Sequence, residues 1–297
     1  MSVDTKTEIK AKANGGAAGY SPTRTLTFAT EFVRQWRRRR TQLALGFMVL
    51  LPVILLVAFE FGGEDDDDGG GRGQFSALVD VAIAGGLNFA LFAIFVSSSF
   101  LLVVIFALFH GDTIASEASW GSLRYLLAVP VPRARLLGIK LSVAMTYSLL
   151  SVAIMTGTAL ALGTLRYGWH PLQSGVSADV PEGEGVLRLL GVAGYMSITL
   201  LVVAGIAFLL SVMTDAPLGA VGGAVLLFIV SSILDQITAL GELRNFLPTH
   251  FVRSYLGLLT TPIQFDGIVK GTISALAYAA IFWGIAFWRF MRKDVTS

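Results

Sequence analysis

The chain has 297 residues, of which 54% are hydrophobic and only 14% are charged. Soluble domains carry about a quarter charged residues, so much of the apolar surface here must face lipid instead of a protein core. The absence of cysteine excludes disulfide frameworks, thiol catalysis and thiolate metal sites. These features predict an all-α integral membrane protein.

Six apolar stretches are long enough to cross a bilayer as a helix, which takes about 20 residues. No short apolar core with a cleavage site precedes them, so we expect the first span to be an uncleaved anchor. The second stretch is too long for one simple crossing, and we expect it to begin outside the bilayer and extend into the cytoplasm. The predicted spans are 41–61, 75–110, 136–162, 186–213, 217–240 and 268–288, within a membrane domain of residues 41–290.

The basic residues indicate the orientation, because cytoplasmic segments of membrane proteins carry an excess of Lys and Arg. With the N-terminus inside, 16 of the 22 Lys and Arg are cytoplasmic: nine before the first span, four within 124–140 and three after residue 288. The opposite orientation would translocate Arg37–Arg40. We therefore predict a multi-pass protein of the cell membrane with cytoplasmic termini, a disordered tail at 1–20 and a short tail at 291–297.

Residues 21–40 are predicted to form an amphipathic helix that lies in the membrane interface. Ser21-Pro22 is a favourable helix start, and apolar and polar side chains then fall on opposite sides at helical spacing. We expect the aromatic face to enter the bilayer and the basic face to meet anionic headgroups. The alternative is a plain basic flank of the first span. The residues assigned to this interfacial helix are Phe28, Phe32, Trp36, Arg37 and Arg38.

The sequence offers little for catalysis. His110, His170 and His250 are scattered and have no partner at metal-ligand spacing, so we predict no metal site. The chain contains neither a Gly-x-Ser-x-Gly elbow nor a phosphate-binding Gly-x-x-x-x-Gly-Lys-Ser/Thr loop. The acidic run Glu64–Asp68 lacks the alternate spacing of calcium loops and indicates a solvated outside loop. We predict no catalytic residue and no enzyme activity in this chain.

A few polar residues fall within or beside the predicted spans. Asp235, Asp80 and Glu60 all lie toward the outer ends of their helices, where either a place in interfacial water or a role in an ion or proton relay is open. Asn88 and Ser97–Ser99 are polar enough to line a cavity or to join helices, and the sequence does not distinguish the two.

The long cytoplasmic connection, 111–135, is compact, amphipathic and mixed in charge. Asp112 and Glu117 precede a break at Trp120-Gly121-Ser122, and a short helix is expected from there to the Val129-Pro130-Val131-Pro132 turn. A stiff element at the ends of two long helices suits the transmission of force from a soluble partner.

This segment resembles that of the permease subunits of ABC transporters in the type-2 exporter superfamily, which includes drug, lipid and polysaccharide exporters. Ser122 and Pro132 depart from the usual Thr and Ser of that pattern. The six-span layout and the N-terminal amphipathic helix also agree, and the nearest resemblance is to small permeases made separately from their ATPase. The matching residues are Asp112, Glu117, Gly121, Ser122, Leu123, Leu127, Pro130, Val131, Arg133 and Lys140.

The resemblance implies a membrane-spanning permease subunit that forms the translocation path of an ATP-driven exporter. It implies a dimer with a second permease chain, identical or different, and two copies of a separate ATPase that binds ATP and Mg²⁺. This chain would bind no cofactor of its own, would contact membrane lipids and would have no nucleic-acid partner. The alternative is a secondary transporter or channel without an ATPase. The residues implied to couple to the ATPase are Glu117, Trp120, Gly121, Ser122, Leu123 and Arg124.

Overall fold

The computed structural model describes residues 26–61, 73–121, 131–173, 180 and 182–292. Within those ranges the chain is helical apart from turns and one isolated bridge between Leu172 and Val180, which confirms the all-α prediction. The α-helices are α1 (Phe28–Trp36), α2 (Arg39–Phe61), α3 (Gly73–Ile83), α4 (Gly86–Ser98), α5 (Leu101–Gly111), α6 (Ala115–Ser119), α7 (Arg133–Tyr167), α8 (Glu182–Thr199), α9 (Leu201–Met213), α10 (Pro217–Asp235) and α11 (Asp266–Arg292).

Within these described ranges, five helical segments are long and apolar enough to cross a membrane, or six if the bent pair α4–α5 is one span. The five are α2, α7, the continuous stretch Gly183–Met213, α10 and α11. The chain is therefore a multi-pass membrane protein. With 35 residues, α7 is about 50 Å long, which exceeds the roughly 30 Å hydrocarbon core, so part of this helix projects beyond the bilayer.

The predicted second span, 75–110, is not one continuous helix. It is divided into α3, α4 and α5, and α4 and α5 meet at an angle of 60°. Ser97 and Ser98 donate their hydroxyls to the carbonyl oxygens of Ile94 and Phe95, at 3.0 and 2.7 Å. Bonds of this kind bend a helix only slightly, and Ser142 and Ser151 form them within the unbroken α7, so they accompany the break without accounting for it.

The apolar connection between the last two spans forms two 3₁₀ helices, Thr238–Phe246 and Val252–Leu259. The fifth span accordingly ends at Asp235 and not at residue 240. Buried Arg188 of α8 fixes the second 3₁₀ helix by donating to the carbonyl oxygens of Leu258 and Thr260, at 3.2 and 3.0 Å.

Most of the basic residues gather at one end of the helix assembly, which we call the basic end. The start of α7 reaches the end of α11, where Arg133 donates to the carbonyl oxygen of Met291 at 3.2 Å. The end of α5 packs closely against the start of α10. The approach is so close that a Cβ on Gly111 would stand 2.9 Å from the Val221 side chain. The basic end carries Arg34, Arg37, Arg38, Arg39, Arg40, Arg133, Arg135, Lys140, Arg289 and Arg292.

Cysteine labelling tests the orientation that this charge distribution predicts. Because the chain has no cysteine, single cysteines can be introduced cleanly. A cysteine at Asp266, which is exposed at the end opposite the basic end, should react with an impermeant thiol reagent added outside intact cells. A cysteine at exposed Ser119 should react only after the cells are opened. Labelling of position 119 in sealed cells would reverse the orientation.

Candidate functional site

Seven charged side chains meet at the basic end. At their centre, Nζ of Lys140 lies 2.5 Å from Oε1 of Glu117 and 3.1 Å from Oε1 of Glu31. These three side chains are at most 5% exposed. Charged groups at this depth are stable only when they are paired. The full set, which we call the charge cluster, is Glu31, Arg34, Arg38, Arg40, Asp112, Glu117 and Lys140.

Arginines join the N-terminal helices to the two carboxylates of the cytoplasmic connection. Arg34 of α1 bonds both Glu31, at 2.8 Å, and Glu117. Arg38 lies 3.3 Å from Asp112, and Arg40 of α2 also pairs with that carboxylate. The cluster therefore ties α1 and α2 to the α5–α6 segment and, through Lys140, to α7.

The two acidic residues at the edge of the cluster respond differently to their surroundings. Burial raises the pKa of Asp112, against the opposing attraction of Arg40 and Arg38. Burial also disfavours the charged form of Glu31, but Lys140 and Arg34 outweigh that cost and lower its pKa. The Glu31 carboxylate is thus held charged by its partners, which makes α1 depend on the α7 lysine for its position.

The short helix α6 is fixed to the membrane domain at its first turn. Ser211 of α9 accepts hydrogen bonds from the backbone N–H groups of Ile114 and Ala115, at 2.9 and 3.0 Å. These are donors that a helix start otherwise leaves without a partner. Glu117, in the middle of α6, then enters the charge cluster. Motion of α6 is therefore mechanically linked to α9, α7 and the N-terminal helices.

The end of α6 presents Trp120 at the surface. The Trp120 side chain is 65% exposed, and the guanidinium groups of Arg38 and Arg40 lie 5.3 and 5.8 Å from its ring centroid. Gly121 follows with φ +66°, a left-handed conformation that favours glycine. An exposed aromatic ring held by two cations on a rigidly anchored helix is a suitable anchor for a protein partner.

A family profile described as "Protein of unknown function (DUF2705)" matches residues 71–296. The chain belongs to the DUF2705 family. No curated protein matches it. The matched range contains Asp112, Glu117 and Lys140 of the charge cluster, whereas Glu31 and the three arginines precede it.

The predicted coupling residues of this DUF2705 chain do not all share one environment. Trp120 and Gly121 lie where a partner can reach them, but Glu117 is 1% exposed and pairs with Lys140 and Arg34 inside the chain. In this conformation Glu117 positions α6 and does not present its carboxylate to a partner, which corrects its predicted place on the docking surface. Ser122, Leu123 and Arg124 lie outside the described residues.

The interfacial helix is shorter than predicted, and its polar face points toward the protein. α1 begins at Phe28, residues 37 and 38 form a turn, and α2 starts at Arg39. Phe28 and Trp36 are exposed on the outer face, as a helix in the bilayer interface requires, while Phe32 stacks on Tyr147 at 4.7 Å. The tails at 1–20 and 293–297 lie outside the described residues, whereas α11 includes residues 291 and 292.

The basic residues of this region divide between the surface and the cluster. Arg37 is exposed, and its contact with headgroups stays a prediction. Arg38 instead faces Asp112 and Trp120, because the turn between α1 and α2 directs it inward. The prediction that both arginines face headgroups is therefore wrong for Arg38.

Sequence reasoning did not identify Glu31, Arg34 and Arg40 as cluster residues, and it named Lys140 only as a residue of the permease-like pattern. Apart from the Arg34–Glu31 pair, the ion pairs of the cluster join positions far apart in the chain: Lys140 and Glu31 are separated by 109 residues. The available signal was a lysine placed among apolar residues near the start of a span, since a buried lysine requires a carboxylate nearby.

A second polar site lies at the opposite end of the DUF2705 chain. Beside the α4–α5 break, a cavity of about 390 Å³ is lined by residues that include Ser98, Ser99, Asp235, His250 and Arg253. Nδ1 of His250 lies 2.5 Å from Oδ1 of Asp235, and Nε of Arg244 lies 3.6 Å from the same oxygen. We call this space the outer cavity.

The other polar residues singled out in the sequence have ordinary structural partners. Glu60 accepts two hydrogen bonds from Arg166, at 2.9 and 2.7 Å, and joins the outer ends of α2 and α7. Asn88 bonds both the backbone N–H and the carbonyl oxygen of Gln173. Asp80 is exposed. Within the described ranges, no three His, Asp or Glu side chains are grouped so that they could hold a metal ion.

Proposed function

We propose that this chain is the membrane-spanning permease subunit of an ATP-driven exporter, coupled to a separate ATPase through the end of α6. The observation that carries the proposal is the combination of a surface Trp120 with an α6 that Glu117 ties to α1 and α7 and that Ser211 ties to α9. A loop that served only to connect two spans would not need buried ion pairs to hold it.

The same geometry supports a coupling mechanism. ATP-driven movement of the partner would push on Trp120 and rotate α6. Glu117 pairs with Lys140 of α7 and with Arg34 of α1, and Lys140 also pairs with Glu31 of α1. That rotation would therefore shift the start of α7 and the interfacial helix together. Packed elements joined by short ion pairs move between discrete arrangements and do not deform gradually. The work of the chain would be to make different contacts in the two arrangements, without bond chemistry.

The assembly implied by this proposal has two permease chains, identical or different, and two ATPase subunits that bind ATP and Mg²⁺. The exposed apolar faces of α2, α10 and α11 leave surface for both lipid and a second permease chain. In this assembly the outer cavity, between α10 and the α4–α5 break, would belong to the translocation path.

Purification from native membranes under mild conditions tests the proposal. We expect an ATPase with a phosphate-binding loop to co-purify with the chain in near-equal amounts. Its ATP hydrolysis rate should change when the two are reconstituted together in vesicles. A chain that purifies without any ATPase, and that leaves the hydrolysis rates of the ATPases encoded nearest to its gene unchanged, would contradict the proposal.

The outer cavity favours a second candidate, a secondary transporter without an ATPase. Broken membrane helices and ionisable side chains commonly form ion and substrate sites in such transporters. Asp235, paired with His250 beside the α4–α5 break, fits that pattern. Proteoliposomes that hold only this chain distinguish the two: uptake driven by a pH gradient and lost in Asp235→Asn would support the second candidate, and absence of such uptake would exclude it.

A further inference from the structure

A small pocket with two arginines opens at the basic end, away from the charge cluster. It lies between the last turn of α9 and the last turns of α11 and has a volume of about 290 Å³. This is near the lower limit for ligand sites, so it can hold a headgroup but not a whole lipid. We call this space the arginine pocket. Its lining residues are Val212, Met213, Trp288, Arg289 and Arg292.

The arginine pocket carries positive charge that is not neutralised by the described part of the chain. Arg289 and Arg292 are both exposed, and neither forms an ion pair with a described carboxylate. The Arg292 guanidinium lies 4.5 Å from the centroid of the Trp288 ring, which orients it over the pocket wall. The acidic residue closest to Met213 in sequence is Asp215, and it is not among the residues that line the pocket.

The face of α11 that leads to this pocket is apolar. Ile281, Ile285, Trp288 and Arg292 follow one another at intervals of four, three and four residues, so they lie on one side of the helix. The isoleucines are 55% and 43% exposed and Trp288 is 51% exposed, on a helix that crosses the membrane. The stripe therefore passes from a lipid-facing apolar surface, through an interfacial tryptophan, to two cations.

We propose that the arginine pocket binds the phosphate of one anionic phospholipid, whose acyl chains lie along Ile281 and Ile285. A soluble anion would match the cations but would leave the apolar stripe without a function. With the basic end in the cytoplasm, as proposed above, the lipid belongs to the cytoplasmic leaflet, which carries the anionic headgroups that basic pockets between spans recognise. The binding itself does not depend on the ATPase partner.

Two simpler roles exist for these arginines. Basic residues in the last turn of α11 complement its helix dipole, and they add to the positive charge of the cytoplasmic side. Both roles need only the charges and place no demand on the shape of the pocket. A variant that fills the pocket and retains both arginines therefore separates lipid recognition from these general effects.

Native mass spectrometry of the purified chain, with equal amounts of phosphatidylglycerol and phosphatidylcholine in the micelles, tests the proposal. The parent should retain one phosphatidylglycerol with at least about tenfold preference over phosphatidylcholine. The double variant R289Q/R292Q and the pocket-filling variant Met213→Trp should both lose that preference. The control Arg39→Gln removes an exposed charge from the same end but outside the pocket, and it should bind like the parent.

Three outcomes would overturn the lipid site. They are an equal loss of preference in R39Q, full binding by Met213→Trp, and displacement of the lipid by inorganic phosphate, which would indicate a site for soluble anions. A circular dichroism spectrum and an elution profile equal to those of the parent show that each variant is folded. Because the measurement uses the chain alone, its failure would leave the proposed coupling to an ATPase unaffected.

Discussion

Replacing Lys140 with Met is expected to destabilise the folded chain by about 3–5 kcal/mol, the largest effect of any single substitution proposed for this chain. The change removes the ammonium group that lies between the buried carboxylates of Glu31 and Glu117. Arg34 remains as their partner, but its side chain is 39% exposed and it cannot replace the bond on the α7 side. Thermal unfolding in detergent or nanodiscs measures the effect as a fall in Tm.

The matched control is Lys270→Met, the same substitution in an ion pair at the surface. Lys270 pairs with Asp266 at 2.8 Å, but the two side chains are 59% and 82% exposed, so the loss should be below about 1 kcal/mol. A second variant, E117Q/K140M, should recover part of the stability because one buried carboxylate then becomes neutral. Equal Tm values for K140M and K270M would refute the structural importance of the cluster.

Replacing Trp120 with Ala is expected to weaken binding of the proposed ATPase by about 30-fold, which corresponds to an interface anchor worth about 2 kcal/mol. The fold should survive, because the side chain is 65% exposed and its contacts within the chain are mainly the cation–π contacts with Arg38 and Arg40. Titration of the purified ATPase into nanodiscs that contain the chain measures the affinity.

Trp169→Ala serves as the control for that experiment. Trp169 is 41% exposed and follows α7 at the end opposite the basic end, so its removal changes a surface tryptophan without touching α6. We expect this variant to bind the ATPase like the parent. If W120A and W169A both retain parental affinity, the end of α6 is not the docking site.

The sequence was sufficient for the membrane spans because hydropathy is a property of single stretches. The first, third and sixth predicted spans each lie entirely within one observed helix, namely α2, α7 and α11. The break in the second stretch was missed, because serines such as Ser142 and Ser151 also occur within the unbroken α7, so Ser97 and Ser98 do not by themselves mark a break. The position of the break therefore depends on the packing of neighbouring helices and not on local composition.

The candidate site was predictable in part. Trp120 and Gly121 were singled out from local signals, a tryptophan beside charges and a glycine at a turn, and both lie where solvent reaches them. Glu117 was expected on the docking surface because the resemblance to ABC permeases implies that position for it. Its burial follows from Lys140, 23 residues later, and from Arg34, 83 residues earlier. No local pattern specifies pairings over such distances.

Site-specific photo-crosslinking in native membranes tests the central claim most directly. A photoreactive amino acid at position 120 should form an adduct with an ATPase that has a phosphate-binding loop, and the yield should change between ATP-bound and nucleotide-free conditions. The same probe at position 169 should form no such adduct. Crosslinks from position 120 only to lipid or to another copy of the chain would contradict the proposed coupling of this chain to an ATPase.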